Sequence, residues 1–125
     1  MNEAKQTVAI IGAGPAGIYA ARKLRRSGFE VVILNRDIRP GGLAEYGIFH
    51  DKYKMKAGLR KQFAKILDTE GIHYRGNITI GTQGVLRIED LDELGFDAVV
   101  VAVGAQGIKW LKIEGSESNL SLIHI

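Results

Sequence analysis

The run TVAIIGAGPAGIYAARKL, residues 7–24, constrains this chain more than any other stretch. Residues 7–11 are short, apolar and end in glycine, the pattern of a strand buried in a parallel sheet. From residue 15 to 27 the pattern turns helical. Ile18, Ala21 and Leu24 share one face, Arg22, Lys23, Arg25 and Arg26 lie mostly off it, and Gly28 suits the C′ stop. EVVIL, residues 30–34, reads as a second buried strand. Residues 7–34 therefore predict a strand–helix–strand unit of about the minimum size for a right-handed parallel crossover.

The turn inside that unit, Gly12-Ala13-Gly14-Pro15-Ala16-Gly17, fits G-x-G-x-x-G. The first glycine allows the tight turn, the second lets a pyrophosphate approach the backbone, and the third lets helix and strand pack closely. Free N–H groups and the dipole at the helix start then favour phosphate. Pro15 fits the first helical turn, where its missing N–H costs nothing. A ribose-binding acid is expected roughly 20 residues further on. Asn35 stands there, followed by Arg36 and Asp37. Asn35 can bond a ribose hydroxyl more weakly than a carboxylate would, and Arg36 suits a 2′-phosphate. At this position FAD and NAD(P) remain open.

Residues 35–53, with Pro40, Gly41, Gly42 and Gly47, read as a long loop, which inside a compact domain tends to be functional. Met55, Leu59, Phe63, Ile66 and Leu67 mark an amphipathic helix stopping at Gly71. Residues 72–81 alternate like a strand, and TQGVLRI is expected to return as the second arm of a small antiparallel element around Gly84. A polar helix near residues 89–94 leads to DAVVVAVGA, residues 97–105, read as a third buried strand. The expected fold is α/β, with a parallel sheet and a small antiparallel β element.

Composition narrows the chemistry. The 125 residues include no cysteine, which excludes a disulfide, a thiolate metal site, an iron–sulfur cluster or a dithiol within this chain. His50, His73 and His124 show no metal-ligand spacing and read as surface or packing residues. Asp51 and Lys52 read as exposed loop charge, and Trp110 as the mark of an interdomain crossover. The net charge of +3 is spread along the sequence, the mark of a mildly basic solvated surface. No basic stripe interleaved with aromatics points to nucleic acid. The N-terminus is not a signal peptide, and the longest apolar run, residues 98–103, is too short to span a bilayer, so a cytoplasmic protein is expected.

GAGPAGIYAA followed by a strand and PGGLAEYGI resembles the N-terminal FAD-binding half of flavin-dependent pyridine-nucleotide oxidoreductases. It looks most like the adrenodoxin reductase-like ferredoxin–NADP reductases, and more distantly like the small subunit of glutamate synthase. The resemblance runs from about residue 7 to 115 and implies a Rossmann-like FAD-binding domain over residues 1–107. It places Gly41, Gly42 and Leu43 along the pyrophosphate and ribityl chain, with Tyr46 and Gly47 just beyond. It also places the backbone of Ile78 at the adenine, and Gly104 and Ala105 in a turn closing over the FAD. Asn35 departs from the family, where a Glu usually holds the ribose. Disulfide reductases of this fold carry a redox cysteine directly after the Gly-Gly pair, where this chain has Leu43-Ala44-Glu45. Similarity thus implies electrons passing from NADPH through FAD to an external ferredoxin-like iron–sulfur protein.

The resemblance also calls for a second glycine-rich turn and a later Gly-Asp stretch, neither present in the 125 residues. Residues 108–125 are expected to lead towards a missing NADP-binding domain. The closing SLIHI is out of keeping with the family and looks like translated adapter sequence, so the native sequence is expected to end around Glu117. Two alternatives stand beside the reductase: a glutamate synthase small-subunit-like flavoprotein, disfavoured because Met1 stands six residues before the first strand, and a non-catalytic flavin- or dinucleotide-binding module.

Overall fold

The computed structural model describes residues 5–105 and 112–115. Strand β1 (Thr7–Ile11) runs into helix α1 (Pro15–Arg26), which returns to β2 (Glu30–Leu34). A one-turn helix α2 (Leu43–Tyr46) and a single 3₁₀ turn (His50–Lys52) precede α3 (Tyr53–Leu67). Then come β3 (Ile72–Arg75), α4 (Ile88–Glu93) and β4 (Ala98–Val101). The four strands form one sheet in the order β3-β2-β1-β4, and every pairing is parallel.

Alternation along the central strands sets the layers. Ile10, Val31 and Ile33 point to one face, where they meet Ile18 and Ala21 of α1, Phe63 and Ile66 of α3, and Ile72. Ala9, Ile11 and Leu34 point to the other, against Leu91 of α4 with Ile78, Ile80, Leu86 and Phe96. A sheet clad on both faces is what the near-continuous apolar runs of β1 and β2 require. Tyr19 of α1 meets Phe63 of α3 edge-on, ring centres 5.9 Å apart. Gly28 ends α1 at φ +95°, and the Phe29 N–H reaches back to the Leu24 carbonyl at 3.2 Å.

Three expectations need correction. The small antiparallel element is not formed: Ile80 and Leu86 make an isolated bridge, and it is parallel. The strand read over residues 72–81 stops at Arg75, because Gly76 packs under the Ile38 carbonyl and Asn77 turns left-handed at φ 57°. The last strand is shorter than residues 97–105, and among the described residues it is an exposed edge. Val99 and Val101, and Val103 just beyond the strand, are 39, 59 and 46% exposed, and β4 pairs with β1 alone. The long loop carries α2 and the 3₁₀ turn, and Met55 at the start of α3 is solvent-facing. Trp110, His124 and the boundary at 107 lie outside the described residues.

Candidate functional site

Parallel strands in the order β3-β2-β1-β4 leave a crevice at the carboxyl ends of β1 and β4, where the chain winds off in opposite directions. A cavity of about 450 Å³ occupies that place. Its floor is the turn Gly12-Ala13-Gly14 with Pro15 and Ala16 at the start of α1. Asn35 and Arg36 flank it at the end of β2, Gly42 and Leu43 from the following loop, and Ile78 from the crossing segment. Gly104 and Ala105 line the side beyond β4. The folded chain therefore gathers residues up to 94 positions apart, from Ile11 to Ala105, around one space.

Gly12, Gly17 and Gly42 are there because nothing larger fits. A Cβ on Gly12, whose φ is +107°, would press into the Ala102 carbonyl oxygen and lie 2.7 Å from its carbon. A Cβ on Gly17 would press into the Gly12 carbonyl oxygen, so this glycine sits behind the cavity and lets α1 lie close on β1. Gly42, at φ +54°, meets Gly14 face to face; a Cβ there would stand 2.9 Å from Gly14 Cα. Gly41 lies outside the lining but ties the two loops together, its N–H donating to the Ala13 carbonyl at 2.6 Å. The second glycine loop is thus docked on the first.

Gly17, Gly41, Tyr46 and Gly47 are not part of the lining. Tyr46 is exposed one turn beyond Leu43. Conversely, Asp37, Thr79, Ile80, Ala102 and Val103 line the cavity without having been expected there. Asp37 stands beside Arg36 in the sequence; Thr79 and Ile80 depend on how residues 76–86 cross the end of β2, and Ala102 and Val103 on the pairing of β4 with β1, neither of which a local pattern shows.

Asn35 is buried, 7% exposed. Its Oδ1 accepts the Ala13 N–H at 3.2 Å, and its Nδ2 lies 3.1 Å from the Asp37 carbonyl, 3.2 Å from that of Arg39 and 3.1 Å from the Tyr74 hydroxyl. The amide faces inward and joins the glycine turn to the loop of residues 36–40. Burial pushes the Tyr74 phenol up from its usual pKa, so it stays protonated and bonds the carbonyls of Asp37 and Ile38 at 3.1 and 2.9 Å.

Beside the cavity, Glu45 of α2 is buried and takes a two-pronged bond from Arg60 of α3, with Nε 2.7 Å from Oε2 and Nη2 on Oε1. Arg39 approaches the same carboxylate at 3.8 Å. The pair fixes α2, and with it Leu43, at the cavity mouth. The Arg60 guanidinium holds the Glu45 carboxyl below its ordinary value of 4.5. A depressed folded pKa stabilises above the unfolded value and is lost as pH falls through the folded one. Glu45→Gln is therefore expected to lower Tm at pH 7 by a few degrees, roughly 2–5 °C, since Arg60 is half exposed. The gap to wild type should close as pH falls below 4.5 and through the lowered folded value. A gap of the same size at neutral and acid pH would show that the carboxylate charge is not what fixes α2.

A doubly clad parallel sheet with a glycine-cradled crevice at its carboxyl edge defines a Rossmann-like dinucleotide fold. The chain belongs to the pyridine nucleotide-disulphide oxidoreductase family, whose sequence profile matches residues 6–124. It is 40% identical over 112 residues to the glutamate synthase [NADPH] small chain of Bacillus subtilis, covering 90% of this chain and 22% of that one. It is 37% identical over 112 residues to a probable mitochondrial NADPH:adrenodoxin oxidoreductase of Schizosaccharomyces pombe, covering 88% and 23%. Histamine dehydrogenase from Rhizobium sp. 4-9 shares the fold, with a TM-score of 0.63 at 23% identity over 87% of this chain and 15% of that structure. The chain thus spans less than a quarter of these relatives. Both kinds of oxidoreductase to which the sequence pointed are among them. Among the described residues no helix is long and apolar enough to cross a membrane.

Proposed function

We propose that this chain is the FAD-binding portion of a cytoplasmic flavoprotein oxidoreductase that takes hydride from NADPH and passes electrons to a ferredoxin-like iron–sulfur acceptor. The observation that carries the reading is the cavity floor. Gly12 and Gly42 bring the backbone up against Ala102 and Gly14 more closely than a side chain on either would allow, at the open end of α1. The residues fit a dinucleotide: backbone N–H groups and the helix dipole suit the pyrophosphate, and Ile78 and Ile80 offer an apolar wall to a base. Asn35 and the Glu45–Arg60 pair keep the two glycine loops at the spacing this requires. The flavin, when bound, supplies the hydride and single-electron chemistry. The chain has no cysteine to receive those electrons, so they go to an acceptor outside it.

The S. pombe adrenodoxin oxidoreductase favours an iron–sulfur protein as acceptor, while the B. subtilis small chain favours the glutamate synthase alternative. The first test is binding. Purified protein titrated with FAD, FMN and NAD⁺ should bind FAD most tightly, with quenched flavin fluorescence. The 125-residue chain alone should oxidise NADPH no faster than free FAD does, because it lacks a second glycine-rich turn. Preference for NAD⁺ over FAD would overturn the cofactor assignment. Steady NADPH consumption by the short chain would overturn the assignment of the nicotinamide site to sequence beyond it.

A further inference from the structure

In dinucleotide sites an acid at the end of the second strand takes the ribose hydroxyls, and here that position holds Asn35. Asn35 is turned into the protein. Its Oδ1 accepts from Ala13 and its two N–H groups are committed to the carbonyls of Asp37 and Arg39 and the Tyr74 hydroxyl. Two residues further on stands Asp37, the one carboxylate among the described residues that line the cavity. Its backbone is held firmly, since its carbonyl accepts from Asn35 Nδ2 at 3.1 Å, Tyr74 Oη at 3.1 Å and the Asn77 N–H at 3.4 Å. Its side chain is 37% exposed and lies 3.5 Å from Arg36 Nε, a loose surface pair that a ligand can displace.

We propose that the ribose-binding acid of this site is Asp37, displaced by two residues, and that Asn35 is the positioning residue that sets Asp37 at the cavity rim. The assignment rests on the reading of the cavity as a dinucleotide site. An ionised carboxylate only accepts, and a vicinal diol offers two O–H donors, so one Asp37 side chain can take both. The same negative charge disfavours a phosphorylated ribose. Asn35 can do its part only as an amide, because it must accept from Ala13 and donate to two carbonyls at once.

The test uses the full-length protein and three probes, ADP, 2′-deoxy-ADP and 2′-phospho-ADP, with binding measured by calorimetry alongside FAD. A hydrogen bond to a charged group predicts that ADP binds wild type about 10–100-fold more tightly than the deoxy form. Asp37→Asn should bring ADP down towards the deoxy level and weaken FAD by a similar factor, with Tm unchanged. Asp37→Glu should restore part of the loss. Discrimination against the deoxy form that survives in Asp37→Asn overturns the assignment while leaving FAD binding intact. Tighter binding of 2′-phospho-ADP than of ADP overturns it in favour of Arg36. If neither FAD nor ADP binds wild type, the dinucleotide reading itself fails and this assignment with it.

Discussion

Replacing Gly12 by alanine is expected to cost the fold about 3–5 kcal/mol, measured by denaturant unfolding, and to abolish flavin binding. Two penalties add. The new Cβ would press into the Ala102 carbonyl oxygen, a backbone atom anchored in the β1–β4 pairing by the Ala102 N–H bond to Ile11 at 2.8 Å. The residue would also keep φ near +107°, which L side chains rarely adopt. Gly28 separates the two effects. It too is left-handed, at +95°, but a Cβ there would meet nothing within 4 Å, so Gly28→Ala should cost only about 1 kcal/mol. Gly58 has neither constraint: it sits inside α3 with open space, and Gly58→Ala should stabilise by about 0.5–1 kcal/mol. The expected order is Gly12 far worse than Gly28, with Gly58 on the other side of zero. A Gly12→Ala protein as stable as Gly28→Ala would mean that β4 moves away from the turn at little cost, and that the cradle is soft.

The glycines of the first turn and the helix stop are legible because each answers to a local rule. Residues 7–34 gave strand, turn, helix and strand almost to the residue, since period, helix stop and G-x-G-x-x-G spacing all act within a few positions. The Gly41-Gly42-Leu43 loop was legible only through family resemblance, but its contact with Gly14 supplies the physical reason for it. What the sequence hid depends on distant partners. Residues 72–81, with TQGVLRI after them, alternate well enough to suggest a hairpin, yet the Ile78 N–H bonds the Asn35 carbonyl at 2.9 Å and draws the chain across the end of β2. Val99, Val101 and Val103 read as buried because buried strands are apolar, although the described residues cover β4 on one side only. Its place in the motif marks Asn35 as a weak ribose ligand. Its actual commitments, to Ala13, to the loop carbonyls and to Tyr74 39 positions later, could come only from the fold.

Those commitments make Asn35→Asp a sharp probe, because the change swaps one atom and its hydrogens while keeping the shape. The introduced carboxylate, once ionised, would still accept from Ala13, and it could accept from the Tyr74 hydroxyl. It would also set a negative charge against the carbonyl oxygens of Asp37 and Arg39, where the amide now stands at 3.1 and 3.2 Å. Burial at 7% exposure removes the water that would otherwise screen it. Both effects raise the folded pKa of the new carboxyl above its unfolded value of about 3.9. A raised acid pKa means that the unfolded state releases its proton first, so stability falls as pH rises through that window and stays low above it. The variant should therefore be about 2–4 kcal/mol less stable than wild type at pH 7, with the difference shrinking towards zero near pH 4 as the neutral acid recovers one donor. FAD affinity should follow the same curve, weakest at neutral pH, because the glycine turn and the Asp37 loop lose their shared clasp together. Tyr74→Phe should remove only the phenol's share and leave a deficit that is flat between pH 4 and 7, where the phenol stays protonated. An Asn35→Asp variant as stable as wild type at every pH would show that the buried amide serves by its volume alone, and that the turn and loop are held by Gly41 and the Ala13 carbonyl instead.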